Sequence, residues 1–452
     1  MERTFALHTI GCKLNQFDSE RIREALVRAR WEYRPFEEGA QFCIINSCTV
    51  TGRSDARCRN AVRRARSRRS DAVIIVTGCY AETQPEAVAS VAEVDLVLGN
   101  AGKGALPAIL EEIASVGRPA SPLAPLAALD AEGAAEVPID CFLDHSRAFV
   151  KVQEGCDAAC SYCIVPRARG TSRSVPERAV LEQAATLEAA GYHEIVLSGI
   201  HLGRYGAELD PPSTLADLIE TLVESTKDVR FRLSSLEVTE VSPRLVDLMR
   251  GTERIAPHLH VPLQSGDDGV LAAMNRPYDA AAFAARIDDV VRSVEGVGLG
   301  TDIIVGFPGE DEAAFGRTVR LVRELPFSYL HVFGYSPRPL TPAAAMPHQV
   351  HGAEKRRRSS LLIALGQRKR LAFMRAQVGS TQRALIQSPP GPRSTYARAL
   401  TGNYSEVLVK AGASAIGGLS SVRITKSARG MLYGSIVESL EMPPEAPREA
   451  PA

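Results

Sequence analysis

A group of three closely spaced cysteines constrains this 452-residue chain more than any other feature of its sequence. Cys156, Cys160 and Cys163 have CxxxCxxC spacing and follow a strand-like run at residues 149–152. A lone CxxC pair is compatible with a zinc site or a redox pair, and isolated thiols are often ordinary buried side chains. Three thiolates instead hold three irons of a four-iron cubane and leave the fourth iron without a protein ligand. Such an open iron is what a chelating substrate requires, as at catalytic zinc.

Size and composition narrow the class of protein further. The length predicts about three domains, each large enough for its own core. Lys+Arg and Asp+Glu both total 53, so any polyanionic partner must bind local patches. We find neither an apolar run of the roughly 18 residues that a membrane span needs nor a signal peptide. Nine cysteines without a secretion signal indicate reduced thiols and metal ligation, so we expect a cytoplasmic protein without a membrane partner.

Residues 1–118 alternate short β-branched runs with helical stretches, which predicts a parallel α/β domain. One helix is expected to begin at residues 18–20 and to run toward Arg30. Cys12, Cys48 and Cys79 each follow the end of a predicted strand, and ligands of parallel sheets bind at that edge. These three are therefore candidates for a second three-thiolate site, the alternative being buried small hydrophobes. The remaining cysteines are assigned to ordinary positions: Cys43 in a strand, Cys58 on a helix and Cys141 in a connecting segment.

Residues 119–140 are rich in Ala, Pro and Gly and are predicted to be a linker. From residue 141 to 372, strand and helix patterns repeat six times, which predicts a (βα) barrel short of the usual eight units. An incomplete barrel has a lateral opening that would admit a macromolecular substrate. Polar side chains gather at the predicted strand ends, where such barrels carry their chemistry: Ser198, Ser234, Ser235, Glu237, His260, Gln264, Ser265 and Asp302.

The C-terminal part is predicted to be a basic helix at 354–375 followed by a small β-barrel at 376–440. The barrel carries seven Lys/Arg against two acids, with tyrosines interleaved: Tyr396, Tyr404 and Tyr433. Such a surface could hold RNA by phosphate contacts and stacking, and the alternative is a dimerisation or cap domain. Residues 57–69, with seven arginines and no acid, are either a solvated face or a phosphate grip. The tail at 441–452 is expected to be disordered.

The chain as a whole resembles the radical S-adenosylmethionine methylthiotransferases, which put a methylthio group on tRNA or on a ribosomal protein. The resemblance rests on motifs spread over the sequence: TIGCKLNQFDSE, INSCTVT, TGCYAE, EGCDAACSYCIVPRARG, LSGIHLGRYG, HVPLQSG, TDIIVGFPGE and FGYSPRPLTPA. It implies an N-terminal cluster domain, a central partial (βα)6 radical barrel and a C-terminal RNA-binding TRAM module.

The resemblance also implies cofactors and site residues. Two [4Fe-4S] clusters and S-adenosyl-L-methionine are expected. Cys12, Cys48 and Cys79 would ligate an auxiliary cluster, and Cys156, Cys160 and Cys163 the radical cluster. Around the nucleoside cofactor we expect Ser198, Ser235, Glu237 and Gln264. Near substrate phosphate or carboxylate we expect Arg167, Arg169 and Arg173, because the guanidinium fork suits both groups.

The motifs GCKLNQFDSE and ARGTSRS resemble most the branch that modifies carbon-2 of N(6)-threonylcarbamoyladenosine beside the tRNA anticodon. Val175 and Asp267–Asp268 depart from the family pattern near the substrate side. The branches for isopentenyladenosine and for a ribosomal-protein aspartate remain alternatives, as does a two-cluster electron carrier with an RNA-binding module. The expected partners are the anticodon stem-loop of a tRNA, an electron donor and a sulfur source.

Overall fold

The computed structural model describes residues 2–123, 138–142, 145–389, 391 and 394–439. Most of the predicted linker and the whole predicted tail at 441–452 lie outside these residues.

The N-terminal region is a parallel sheet with helices on both faces. Its strands are β1 (Thr4–Thr9), β2 (Glu32–Tyr33), β3 (Phe42–Ser47), β4 (Val73–Gly78) and β5 (Leu96–Leu98). Its helices are α1 (Lys13–Arg28), α2 (Gly52–Arg68), α3 (Cys79–Thr83), α4 (Pro85–Ala89) and α5 (Leu106–Val116). The strand order is β2-β1-β3-β4-β5, with every pair parallel. β3 and β4 are buried at every position because one apolar cluster packs on each face of the sheet.

The predicted start of the first helix was wrong by five residues. Helix α1 begins at Lys13, directly after Cys12, whose backbone is extended. The Asp18–Ser19 pair, where the helix was expected to begin, lies buried within the helix. Its polar groups serve tertiary hydrogen bonds, such as the one that Asn46 Nδ2 donates to Ser19 Oγ (3.0 Å). These polar side chains therefore make tertiary contacts instead of marking the start of the helix.

Among its described residues, the central region contains eight strands and nine α-helices. The strands are β6 (Ala148–Lys151), β7 (Gln153–Glu154), β8 (Arg173–Ser174), β9 (Glu194–Ser198), β10 (Arg230–Leu233), β11 (His258–His260), β12 (Gly298–Val305) and β13 (Tyr329–Gly334). The helices are α6 (Val165–Arg169), α7 (Glu177–Ala189), α8 (Leu215–Ser225), α9 (Pro243–Gly251), α10 (Asp268–Ala273), α11 (Ala280–Ser293), α12 (Glu312–Glu324), α13 (Pro342–Ala345) and α14 (Gly352–Ala376).

Six of these strands form an incomplete parallel barrel. β6, β9 and β10 make one parallel sheet and β11, β12 and β13 another. Two parallel bridges, Phe231 to Ile255 and Ser235 to His260, connect β10 to the segment of β11. Among the described residues no ladder joins β6 to β13, so the barrel is open, and the predicted fold class is confirmed. Capped helices return the chain between strands; Asp279 and Asp311, for example, accept the backbone N–H groups that begin α11 and α12.

The C-terminal region is a closed five-stranded barrel. Its strands are β14 (Thr381–Gln387), β15 (Ala397–Thr401), β16 (Glu406–Val409), β17 (Leu419–Ala428) and β18 (Met431–Ser439). Their order around the barrel is β14-β15-β16-β18-β17. β16 and β18 are parallel, whereas the other neighbours are antiparallel.

The small barrel docks at the amino ends of the central strands. Glu194, fully buried at the start of β9, pairs with Arg230 and Arg232 of β10. Arg232 then donates to the carbonyl oxygens of Thr401 (3.0 Å) and Gly402 (2.8 Å) in the small barrel. Burial alone would raise the pKa of Glu194, but the two guanidinium groups outweigh it and hold the pKa well below its usual range. Charged hydrogen bonds thus attach the barrel to the central region.

Within the described residues, none of the helices combines the length and apolar character needed to cross a bilayer.

Candidate active site

The CxxxCxxC loop lies at the carboxyl end of β6 and is closed at its base by the β7–β8 hairpin. The N–H of Cys156 donates to the carbonyl oxygen of Gly170 (3.0 Å), which ties the two ends of the loop together. Gly155 has a φ of +70°, and a Cβ there would overlap the carbonyl oxygen of Thr171. Only glycine fits this position, so the loop is built around a close backbone approach.

Two cationic side chains contact the thiols of this loop. Arg276 Nη1 donates to Cys160 Sγ at 3.1 Å. One ring nitrogen of His201 lies 3.5 Å from Cys156 Sγ and the other lies 2.6 Å from Glu240 Oε1. Burial would lower the pKa of His201, but its contacts with Cys156 and Glu240 outweigh burial and raise it to about 9. Positive charge beside sulfur favours the thiolate, which is the form that binds metal.

The four residues expected around the nucleoside cofactor lie along the carboxyl edge of the open barrel. Ser198 ends β9, Ser235 and Glu237 follow β10, and Gln264 follows β11. Ser235 Oγ lies 2.8 Å from His260 Nδ1, and the carboxylate of Glu237 pairs with Arg276. Gln264 has a φ of +66°, uncommon for a residue with a side chain, and is held there by hydrogen bonds to β12. These four residues therefore lie on the rim of the barrel that also carries the cysteine loop.

The structure also brings Cys12, Cys48 and Cys79 together. They follow β1, β3 and β4, three neighbouring strands of the N-terminal sheet. Cys12 is reached by solvent but surrounded by protein atoms on most sides, and this environment raises the pKa of its thiol. Burial raises the pKa of Cys48 as well, and negative charge on Cys79 and Cys12 would raise it further because the three sulfurs are neighbours. Their grouping arises from the sheet and not from their spacing in the sequence.

Glycines permit this convergence. Gly11 and Gly78 precede Cys12 and Cys79 and have φ values of +122° and +92°. A Cβ on Gly11 would lie 2.8 Å from Cys48 Cβ, and a Cβ on Gly78 would overlap the carbonyl oxygen of Ser47. A side chain at either position would push the cysteines apart.

Arg169 connects the two cysteine groups across the domain interface. It lies on α6, just after the CxxxCxxC loop, and is buried. Its Nη1 lies 2.7 Å from Glu154 Oε1 and 3.0 Å from Asp18 Oδ2, while Nη2 donates to Asn15 Oδ1 of α1. Burial would lower the pKa of Arg169, but Asp18, the thiolate of Cys79 and Glu154 outweigh it and raise the pKa. Helix α3, which begins at Cys79, also packs against α6.

This position differs from the substrate contact that we expected for Arg169. Its guanidinium is already engaged by protein oxygens, so the geometry favours a structural role. Arg167 and Arg173 are exposed and remain candidates for phosphate or carboxylate. Sequence reasoning did not single out Asn15, Asp18, His201 or Arg276. The first two lie inside the motif GCKLNQFDSE, which was the available signal.

The other cysteines occupy the ordinary positions that we expected. Cys43 is buried in β3, Cys58 is buried on α2, and Cys141 receives a hydrogen bond from Tyr192 at 3.6 Å. The arginines of α2 are partly engaged by protein: Arg64 and Arg68 pair with Glu37, and Arg66 pairs with Asp95.

The three tyrosines expected to stack on RNA do not form one surface. Tyr404 packs inward, with its ring stacked 4.5 Å from that of His258 and 5.2 Å from the guanidinium carbon of Arg232. Tyr396 and Tyr433 contact each other edge to face on the small barrel. The turn that carries Tyr404 therefore belongs to the domain interface.

Comparison with known proteins assigns the family. The profile of uncharacterized protein family UPF0004 matches residues 4–99, and that of the Radical SAM superfamily matches residues 150–322. The chain is 35% identical to a Bacillus subtilis threonylcarbamoyladenosine tRNA methylthiotransferase, MtaB, over 97% of both chains. It is 31% identical to a Moorella thermoacetica tRNA-2-methylthio-N(6)-dimethylallyladenosine synthase, covering 96% of this chain and 99% of that one.

A solved structure shows the same fold at much lower identity. It is the radical S-adenosylmethionine methyltransferase TsrM from Kitasatospora setae, with cobalamin and a [4Fe-4S] cluster bound. The TM-score is 0.55 at 14% identity, covering 76% of this chain and 77% of that chain.

The superfamily implies S-adenosylmethionine and one [4Fe-4S] cluster, and the CxxxCxxC loop fits such a group. Its three thiols share one short loop, two cations contact the sulfurs, and the loop faces a rim of hydroxyl, carboxylate and amide groups. The chain belongs to the radical S-adenosylmethionine methylthiotransferase family.

Proposed function

We propose that this enzyme adds a methylthio group to carbon-2 of N(6)-threonylcarbamoyladenosine next to the anticodon of tRNA, using two [4Fe-4S] clusters. The observation that carries this proposal is the pair of cysteine groups linked by Arg169, with one group on each side of a single interface. For the substrate, relatives from three bacteria that carry the threonylcarbamoyladenosine name are 34–35% identical to this chain. Relatives named for dimethylallyladenosine are 31–33% identical.

The target position explains the need for radical chemistry. Carbon-2 of adenine bears a C–H bond that is neither acidic nor electrophilic enough for acid–base catalysis at neutral pH. S-adenosylmethionine on a reduced cluster supplies radical chemistry when bound. The chain must therefore hold the base at a fixed position and exclude water from it.

The residues of the central region divide this work. Cys156, Cys160 and Cys163 would hold the radical cluster. Arg276 and His201 place positive charge beside the sulfurs of Cys160 and Cys156. Ser198, Ser235, Glu237 and Gln264 would orient the nucleoside cofactor along the barrel rim.

The N-terminal cysteines would hold the auxiliary cluster, which would supply sulfur for the transfer when bound. Cys12, Cys48 and Cys79 would be its three thiolate ligands. Arg169 fixes this group relative to the radical loop, so one base could reach both. An electron donor and a source of sulfur must complete the reaction.

Exposed arginines beside the radical loop would receive the RNA. Arg167 and Arg173 flank the buried Arg169 and are free to meet phosphate or the carboxylate of the threonyl group. The predicted RNA-binding role of the small barrel would then rely on its outer surface, since the turn at 402–405 faces the central region.

The test is mass spectrometry of tRNA nucleosides from cells with and without this gene. We expect loss of the methylthio form of threonylcarbamoyladenosine alone, restored by the intact gene and not by a Cys160→Ala variant. Loss of the methylthio form of isopentenyladenosine would instead support the second candidate, which the relatives named for dimethylallyladenosine favour. Unchanged tRNA with an unmethylthiolated ribosomal protein would refute both.

A further inference from the structure

Three side chains that none of the roles above uses meet inside the open barrel. His260 ends β11, Asp302 lies on β12 and His331 lies on β13. Asp302 and His331 are paired across neighbouring strands, while His260 is paired with Gly300, two residues before Asp302. Because alternate residues of a strand share a face, all three side chains project to the same side of the sheet. Gly300 has no side chain on that face, and a Cβ there would overlap the ring of Tyr329.

The donor atoms of these side chains have the spacing of metal ligands. One nitrogen from each histidine and one carboxylate oxygen of Asp302 lie within 4.8 Å of one another. Asp302 Oδ1 is 3.1 Å from His260 Nε2 and 3.1 Å from His331 Nδ1. Two ligands about 2.1 Å from one ion, at tetrahedral or octahedral angles, are roughly 3.0–3.4 Å apart. The observed separations fall in this range.

The buried histidine directs one ring nitrogen into this group. His260 is 8% exposed, and its Nε2 lies 3.1 Å from Asp302 Oδ1 without the geometry of a hydrogen bond. Its Nδ1 lies 2.8 Å from Ser235 Oγ. When the hydroxyl accepts a hydrogen bond from Nδ1–H, Nε2 carries the lone pair that a metal ion would bind, which is the arrangement at metal-ligating histidines. A buried polar atom without a partner costs free energy unless something binds it.

The carboxylate of Asp302 lies between the two imidazoles, 3.1 Å from a nitrogen of each. The side chain of His331 is 54% exposed, so an ion has a path from solvent.

We propose that His260, Asp302 and His331 form a binding site for one divalent first-row transition-metal ion, Zn²⁺ or Fe²⁺, separate from both cysteine groups. Two imidazoles and one carboxylate with open positions are typical ligands of non-haem Fe²⁺ and of catalytic Zn²⁺. The open positions would face the interior of the barrel, where oxygen ligands could enter. Ser235 links this site to the rim that carries Glu237 and Arg276. The proposal does not depend on the identity of the RNA substrate.

The test measures metal binding directly on the full chain with its cysteine clusters assembled under anaerobic conditions. After dialysis against a weak chelator, Zn²⁺ and Fe²⁺ are titrated separately by calorimetry. We expect one extra ion per chain for at least one metal, and binding at least about a hundredfold weaker in Asp302→Ala. No extra ion, or unchanged affinity in Asp302→Ala, would overturn the proposal.

Two controls keep the result interpretable. His331→Gln changes an exposed side chain and should fold even if Asp302→Ala does not; it should also weaken binding, whereas His348→Gln, at an exposed histidine elsewhere, should not. Zinc-edge X-ray absorption identifies the ligands. Nitrogen and oxygen neighbours at about 2.0–2.1 Å support the site, whereas sulfur at about 2.3 Å would place the zinc on cluster cysteines and refute it. These metal-binding measurements do not use tRNA, so their outcome does not change if the proposed tRNA reaction is wrong.

Discussion

The two cysteine groups differ in how their geometry arises. Cys156, Cys160 and Cys163 fall within eight residues, and one loop positions them. Cys12, Cys48 and Cys79 span 68 residues and meet only because three parallel strands end side by side.

Their charged partners differ as well. The local group (Cys156, Cys160 and Cys163) is contacted by Arg276 and His201 of its own region. The dispersed group (Cys12, Cys48 and Cys79) is near Arg169, which comes from across the interface. The dispersed group therefore depends on domain docking, whereas the local group does not. Four sets of substitutions test this difference.

The largest expected effect separates the two groups by chemistry. Cys160→Ala should abolish reductive cleavage of S-adenosylmethionine and all product. Cys48→Ala should keep cleavage and lose methylthio transfer, because only the second group would carry sulfur. Iron content should fall from about eight to about four per chain in either variant. Deoxyadenosine and product are measured by chromatography after reduction, and loss of cleavage in Cys48→Ala would contradict the division.

Arg169→Gln should destabilise the dispersed group because it removes charged contacts across the domain interface. It leaves the carboxylates of Asp18 and Glu154 without their shared cation, which costs about 3 kcal/mol of unfolding free energy. Methylthio transfer should fall much more than cofactor cleavage. Denaturant unfolding and the two activities are measured together. The matched control is Arg167→Gln, exposed on the same helix, which should change stability by less than about 0.5 kcal/mol.

Glycine substitutions should distinguish steric crowding near each cysteine group from the strain of a positive φ alone. Gly78→Ala should destabilise the protein by about 2 kcal/mol or more and lower occupancy of the dispersed group, because Cβ meets backbone and φ is positive. Gly155→Ala should do the same for the local group. Gly191→Ala has a similar φ of +82° but open space around it, so only about 1 kcal/mol of strain is expected. Equal losses in all three would mean that strain alone matters.

The smallest expected effect is electrostatic and confined to the local group. Arg276→Gln removes a charged donor to Cys160 Sγ. The positive charge of that donor stabilises the more negative, reduced state of a cluster. The reduction potential of the radical cluster should fall by about 50 mV. The potential of the auxiliary cluster should not change. An EPR-monitored redox titration measures both, with the partly exposed Arg286 of α11, which pairs with Asp289, changed to Gln as control.

Local patterns allowed most of the architecture to be predicted. The alternation of strands and helices, the six βα units and the small barrel were read from periodicity and turn residues, because these signals act over a few residues. The start of α1 was misplaced at Asp18 and Ser19, residue types that favour helix starts, because in the fold they serve distant partners.

The sequence by itself determined the local group: CxxxCxxC after a strand specifies three thiolates in one loop, and the family motifs specify its chemistry. Only the tertiary structure decided that Arg169 is an interface residue, that Tyr404 packs inward and that His260, Asp302 and His331 meet. These contacts join residues far apart in the chain, and their pairing depends on strand register and on domain docking. No pattern within a short window encodes either, because the free energy that fixes them comes from burial and charge pairing in the folded state.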